Sequence, residues 1–327
     1  MGLASKLAAS QANPTAYTGY APPPGPPPPA GAPPPAAPPR QPVSDPYKNV
    51  GLILSILEEG VRDQNLSYFY PAGSLKPIAE RIASTGALRT IATKWNLPAE
   101  IAMDLSRLAL FDVILYLDDS GSITLGSRMD ELKMVTGHVA EAAGLFDADG
   151  IQVRWMNSKK EGNGFTTEAQ AIELISRIKF NRGTPLGTSL REKVLEPLVY
   201  KPIKKGKLKK PLLIVCVTDG APTFEPRDTI VKVIKESKAI LSKTPFTADA
   251  VSYSMAQIGD DMEAREFLEF CDEHPEIGSL IDTTSSFEHE QDNMAKASPP
   301  VQLSREMWLA KLLLGSIHSA YDASDEK

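Results

Sequence analysis

Cysteine is nearly absent: 327 residues contain two, Cys216 and Cys271. That excludes a disulfide framework and a thiolate metal centre, and makes a reducing compartment, the cytoplasm, the expected location. Cys216 falls inside the apolar run "PLLIVCV", where a small buried core residue is expected. The four histidines, His138, His274, His289 and His318, are scattered without ligand or triad spacing. No apolar run approaches the ~18 residues of a membrane span, and "MGLASKLAAS" has too little apolar length for a secretory signal. A myristoylation motif would have Ser or Thr where Lys6 stands. A net charge of -6 argues against nucleic acid as the main partner. No internal repeat is visible.

Proline, by contrast, is concentrated. Residues 11–46 hold 15 of the 28 prolines, most within "APPPGPPPPAGAPPPAAPPRQP". Proline locks φ and removes a donor, so 1–46 is expected to be a disordered tail with polyproline II character, dispensable for folding. It is either a spacer or a ligand for an aromatic-lined groove of SH3, WW or profilin type. Pro35-Ala-Ala-Pro38-Pro-Arg40 fits the PxxPxR form of such a ligand. Residues 47–110 form a helical module: Leu52, Ile53, Ile56 and Leu57 share one face, and Ile101, Ala102, Leu105, Leu108 and Ala109 another.

From Phe111 strands and helices alternate. The strand expectations are 111–118, 151–157, 211–219, 248–258 and 279–282, and the first and third are almost wholly apolar, as in central parallel strands. Helices are expected from about 127, where Ser127-Arg-Met-Asp130 resembles a capping box, and near 167–179, 188–199, 226–242 and 260–271. The pattern implies an α/β fold with a doubly wound, mainly parallel sheet over 111–287. Residues 288–327 are a linker and an amphipathic helix, 302–319, that docks on the body.

Two of the central strands end in an acid, at Asp118 in "VILYLDDSGSI" and at Asp219 in "VCVTDG". If these strands are neighbours, two carboxylates converge at the edge where open parallel sheets bind ligands. There, one must protonate or a cation must bind. Ser120 and Ser122 add hydroxyls beside Asp118, and Gly121 leaves room for a tight loop. "NRGTPLGTSL" adds a third loop. Thr184 and Thr188 are both candidates, Thr184 being preferred on the non-helical part. An all-oxygen set suits Mg²⁺ and not Zn²⁺.

Asp118-x-Ser120-x-Ser122, Gly183-Thr184 and Thr218-Asp219-Gly220 together resemble the von Willebrand factor type A domain and its metal-ion-dependent adhesion site, in the family's order. Residues 96–122 are also similar to a group of fungal proteins of this type. The resemblance implies that Ser120 and Ser122 bind Mg²⁺ directly, with Mn²⁺ or Ca²⁺ as substitutes. Asp118 and Asp219 would lie close, partly through water, and Thr184 would bind directly or through water. It implies a coordination position left for a Glu or Asp of a protein partner, and a last helix whose position follows metal engagement. Arg182-Gly183 stands where many members have two glycines.

Asp119 matches no ligand position; it is either an acceptor behind the ligands or solvated, and solvation is the expectation. "FDADG" (146–150) lacks the Gly and Glu that an EF-hand needs at its sixth and twelfth positions and reads as a turn. The lysines within 201–210 read as a solvated loop. The competing class is a Mg²⁺-dependent aspartyl-phosphate protein. A phosphatase of that kind, however, has a second acid where Ser120 stands, and a receiver has a lysine that "SMAQIGDD" lacks. An A-type domain without metal would not retain this oxygen set, so a non-enzymatic, cation-dependent interaction module is the expectation. Strand polarity adds that the helical module, entering at the amino end of the first strand, packs opposite the metal and against 302–319.

Overall fold

The computed structural model describes residues 6–8, 45–296 and 300–321. Most of the tail expected over 1–46 therefore lies outside the described residues. The module opens with helix α1 (Val50–Asp63), whose N-cap Asn49 accepts from the Leu52 amide. Ile53 and Leu57 are buried there, but Leu52 is exposed, so the apolar seam is narrower than the periodicity implied. Helices α2 (Leu75–Thr85), α3 (Ala87–Lys94) and α4 (Ala99–Asp104) follow. The 3-10 segment Leu105–Leu110 then delivers the chain to the sheet, every residue of it buried.

The sheet has six strands: β1 (Asp112–Leu117), β2 (Ile151–Trp155), β3 (Gly162–Phe165), β4 (Leu212–Thr218), β5 (Val251–Gln257) and β6 (Ile281–Thr284). Their order is β3-β2-β1-β4-β5-β6. All neighbours pair in parallel except β2 with β3. Strand β3 was not anticipated: "GNGF" has two glycines and no alternation, and it exists as an antiparallel edge paired only to β2. Alternation along β1 sends Val113, Leu115 and Leu117 to one core and Ile114 and Tyr116 to the other. Both faces therefore need cover, which is why β1 and β4 read as continuous apolar runs. On one side lie α5 (Arg128–Phe146), α6 (Glu168–Ser176) and the module. On the other lie α7 (Leu186–Ser189, extended by a π-helical Leu190–Tyr200 and a turn Lys201–Lys204), α8 (Thr229–Leu241) and α9 (Met262–Asp272).

Two expectations at the helices fail locally. Ser127 makes no side-chain cap to α5; its hydroxyl meets Glu131 instead. The reciprocal capping box is at Thr167 and Gln170, at the start of α6. The last segment also differs. Helix α10 (Phe287–Lys296) precedes it, and the 302–319 expectation resolves into α11 (Arg305–Leu314) and short 3-10 turns. Trp308 to Leu314 are all buried, so α11 is a core helix, not an amphipathic one. It lies between Leu105–Leu110, α5, β5 and β6, and its Lys311 ammonium pairs with Glu290 at 3.1 Å. Among the described residues no helix is long and apolar enough to cross a membrane.

The module sits at the amino end of β1. Tyr70 Oη donates to Leu110 O at 2.6 Å, and Arg81 reaches the last carbonyl of α5, Phe146 O. Asp104 gathers both ends of the chain here: it accepts from Lys6 Nζ at 2.5 Å and Tyr321 Oη at 2.6 Å, with His318 Nε2 at 3.7 Å. Lys6, Leu7 and Ala8 are helical, and Leu7 is fully buried, so these three residues depart from the tail expectation. Burial alone would raise the Asp104 carboxyl, but the neighbouring His318, the Lys6 charge and the hydrogen bonds from Lys6 and Tyr321 outweigh it and hold it at about 2.

Because the folded carboxyl lies below its ordinary 3.8, its stabilising effect is present above pH ~4 and lost as pH falls toward ~2. At about 1.4 kcal/mol per pH unit this amounts to roughly 2 kcal/mol. Asp104→Asn is expected to lose that much in urea unfolding at pH 7, the gap to wild type closing between about pH 4 and pH 2. Removing residues 1–46 is likewise expected to destabilise, by about 2 kcal/mol for the exposed Leu7 pocket alone. An unchanged unfolding midpoint in both variants would rule out a stabilising role for the contacts of Asp104 with Lys6, His318 and Tyr321.

Candidate metal centre

Strands β1 and β4 are in register, Leu117 beside Val217, and the Asp118 amide donates to Val217 O at 3.0 Å. Sheet order reverses between these strands, β2 lying on one side of β1 and β4 to β6 on the other. Such a reversal opens a crevice at the carboxyl ends. Asp118 and Asp219 stand at that crevice, 0% and 1% exposed. Two carboxylates so buried are costly unless donors meet them.

The donors come from four segments. Asp118 Oδ1 accepts from the Ser120 amide at 2.8 Å, closing the loop after β1. Its Oδ2 accepts from Thr218 Oγ1 at 2.7 Å and from Thr184 Oγ1 at 3.3 Å. Ser120 Oγ lies 3.0 Å from Ser122 Oγ, and Ser122 Oγ donates to Asp219 Oδ1 at 3.0 Å. Arg128 Nη1 donates to Asp219 Oδ2 at 2.7 Å. The five residues named from sequence, Asp118, Ser120, Ser122, Thr184 and Asp219, thus meet at one edge. Thr188 does not join them; its amide and hydroxyl bind Glu225 at 3.0 and 2.7 Å.

Local sequence explains how Thr184 is held. Its amide donates to Thr223 Oγ1 at 2.7 Å, and Thr223 returns its amide to Thr184 O at 3.0 Å. Glu225 accepts the Gly187 amide at 2.7 Å, and Tyr116 Oη reaches Leu186 O at 2.7 Å from within the sheet. Gly183 is required by space: a Cβ there would fall 2.3 Å from Thr223 Oγ1 and 2.4 Å from the Phe224 ring. Gly121 is not so constrained, since its nearest neighbour would be Asn181 Cα at 3.9 Å, and the room expected of it is not used.

Asp119 contradicts the solvated expectation. It is 1% exposed and accepts from the Asn157 amide at 2.7 Å, Asn157 Nδ2 at 2.9 Å and the Ser158 amide at 2.8 Å. Asn157 Nδ2 also donates to Gly183 O at 2.8 Å, so Asp119 braces the Ser120 loop and the Thr184 loop to the end of β2. Sequence reasoning also missed Arg128, and gave Thr218 a place in the Thr218-Asp219-Gly220 motif but not its contact with Asp118. A cation in the first turn of a helix opposes the helix dipole, a signal that Arg128 answers a nearby acid. Thr218 carried no such signal beyond its place beside Asp219.

Burial raises the Asp118 carboxyl to about 6, against the Thr218 and Ser120 hydrogen bonds and with the Asp219 charge adding to the rise. Beside the Arg128 guanidinium, the side chains at the edge offer hydroxyl and carboxylate oxygens, and among the described residues no group of three His, Cys, Asp or Glu forms a metal cluster. An ion held here would draw on hydroxyls as well as the two carboxylates, a donor set that fits a hard divalent cation. No protein-family model matches the chain, and no curated protein matches it.

The folded Asp118 lies above its ordinary 3.8, so folding retains a proton that the unfolded chain releases. Stability from this group is full below pH ~4 and is lost as pH rises toward ~6, by up to about 3 kcal/mol. Asp118→Asn lacks this loss. In EDTA its melting temperature relative to wild type is expected to climb between about pH 4 and 6 and then level. A difference that stays flat from pH 4 to 8 would contradict this reading.

Proposed function

We propose that this chain is a divalent-cation-dependent protein-interaction module of A-type, doubly wound fold, which captures an acidic residue of a partner at a Mg²⁺ site. The observation that carries the reading is the continuous oxygen edge formed by Ser120, Ser122 and Asp219 at 3.0 Å steps, with Asp118 and Thr184, 3.3 Å from each other, beside it. Ser120 and Ser122 would hold the ion directly, with Thr184 completing the side nearest α7. Asp118 and Asp219 would balance charge from behind. When bound, Mg²⁺ (or Mn²⁺ or Ca²⁺) supplies a positive centre with affinity for a further carboxylate.

Arg128 gives this edge a resident cation. Its guanidinium neutralises Asp219 and leaves less negative charge for an incoming ion. The chain's own residues thereby set the affinity: one carboxylate is engaged by hydroxyls and an amide, the other by a hydroxyl and Arg128. A protein is the favoured partner because large apolar side chains rise around the same edge. Leu125, Phe224 and Met262, on the segments after β1, β4 and β5, are 60%, 93% and 60% exposed.

The aspartyl-phosphate alternative finds less support. Asp118, the acid that would be phosphorylated, has both oxygens engaged and no exposed surface. The reading also includes a cytoplasmic setting, in keeping with the buried free thiols Cys216 and Cys271. Binding of an SH3, WW or profilin-type domain by the proline-rich tail lies outside the described residues. Coupling of metal engagement to the last helix would act through α11, whose Trp308 Nε1 donates to Ser285 O at 2.9 Å.

Calorimetric titration with Mg²⁺ is expected to show one site in wild type, absent in Asp118→Ala and Ser120→Ala. Arg128→Ala is expected to bind Mg²⁺ about fivefold tighter, because a like charge next to the ion is removed. Acetyl phosphate is expected to leave no phosphate on the protein. Wild-type heats indistinguishable from those of Ser120→Ala, or a phosphorylated Asp118, would reject the module reading.

A further inference from the structure

The chain is acidic overall, at -6, so cations gathered without acids to match them require a cause. Lys159, Lys160, Arg177, Lys179 and Arg182 line one cleft of about 400 Å³. They come from the β2–β3 connection, the end of α6 and the loop leading to Thr184. Arg177 pairs with Glu173. Among the described residues no carboxylate lies within ion-pair distance of the other four. The acid in the cleft wall, Asp119, is 1% exposed and is engaged by Asn157 and Ser158. Like charges held together in a concave wall focus a positive potential outward.

The cleft adjoins the oxygen edge. Arg182 O accepts the Gly121 amide at 2.9 Å, and Ser120 bridges to Arg182 as a parallel pair. Asp119 and Arg182 stand one and two positions from Asp118 and Thr184, about 4 and 7 Å along the chain. A partner that places an acid at the oxygen edge therefore lays its neighbouring residues along the cations. The cations are exposed and borne on long stems around an open cleft. That suits an extended run of carboxylates, whereas a compact phosphate is held by fixed, convergent donors. The cleft wall has no aromatic side chain on which bases would stack, which disfavours single-stranded nucleic acid.

The geometry points to a second subsite: this cleft binds an acidic peptide segment flanking the carboxylate that the oxygen edge captures. The inference rests on the proposed function for its geometry, and its test separates the two. The probe is a fluorescein-labelled octaglutamate peptide, followed by anisotropy with the full chain at low salt, in Mg²⁺ and in EDTA. Lys159→Glu with Lys179→Glu is expected to weaken binding at least about tenfold in both conditions, at unchanged melting temperature. The neutral pair Lys159→Gln with Lys179→Gln is expected to weaken it about threefold. Lys201→Glu with Lys204→Glu, on the segment leading into the opposite edge of the sheet, is expected to change it less than twofold. Ser120→Ala is expected to remove only the Mg²⁺-dependent increment.

Equal losses from the cleft pair and the Lys201/Lys204 pair would overturn the subsite, as would a cleft pair that binds like wild type. A labelled oligothymidylate binding as tightly as the peptide, with the same dependence on Lys159 and Lys179, would overturn it too. Dependence on the cleft with no effect of Mg²⁺ would uphold the subsite while removing the metal reading. Dependence on Mg²⁺ and Ser120 alone would do the reverse.

Discussion

Two buried carboxylates delivered to one edge by adjacent parallel strands are the constraint around which this molecule is arranged. Strands β1 and β4 pair along their whole length, so neither Asp118 nor Asp219 can move away from the other without breaking the ladder. Water cannot relieve the repulsion, because both side chains are buried. The surrounding loops answer with donors graded by strength: hydroxyls from Thr184, Thr218 and Ser122, an amide from Ser120, and a guanidinium from Arg128. Charge-assisted hydrogen bonds are the strong ones, and the one full cation is on Asp219. Asp118, with neutral donors only, is the carboxyl that is pushed up. The asymmetry lies in the donors: Asp219 has a full cation of the protein beside it, and Asp118 has none.

That arrangement needs loops that do not drift. Asp119 ties the first loop to β2, Glu225 on the loop after β4 holds the start of α7, and Lys193 caps the end of β2. The Lys193 ammonium donates to the carbonyls of Trp155, Met156 and Ser158 at 2.9, 2.8 and 3.1 Å. Each brace holds backbone groups with a charged side chain, and none takes up Ser120, Ser122 or Thr184 through its hydroxyl. Buried polar groups are retained where they are fully satisfied, and Asp119, with three donors on its carboxylate, meets that condition.

Much of this was written plainly in the chain. The apolar runs before Asp118 and Asp219 read as doubly covered parallel strands because almost every residue in them is apolar, and the structure buries β4 throughout. The hydroxyl-bearing loop after β1 and the choice of Thr184 over Thr188 followed from the need for oxygens outside a helix. What escaped were contacts between residues distant in sequence. Arg128 lies 91 positions from Asp219, and no local pattern links a helix's first turn to a strand end. Leu7 meets the module across a proline tract that periodicity cannot cross. Strand β3 has no alternation to read and forms only because β2 offers an edge. Helix α11 was read from one stripe, although neighbours on all sides bury the rest of it. Local rules give the elements; which faces are covered is decided by the partners.

The polarity of the sheet separates two kinds of work. Along β1 (Asp112–Leu117), about 17 Å lies between its first and last residues at ~3.3 Å per step. At the amino end, Asp104 collects Lys6, His318 and Tyr321, so both described ends of the chain are tied where nothing is captured. At the carboxyl end the cations are exposed, the acids are buried, and apolar side chains project from three loops. A surface of that composition attracts a partner of opposite sign, whereas the buried pair repels a carboxylate that arrives without a cation. The two signs are therefore not redundant. In the proposed function the exposed lysines and arginines would govern approach, since long-range attraction acts before contact, and the oxygen edge would govern retention. The braces at Asp119 and Arg182, shared between cleft and edge, would oblige such a ligand to meet both in one pose.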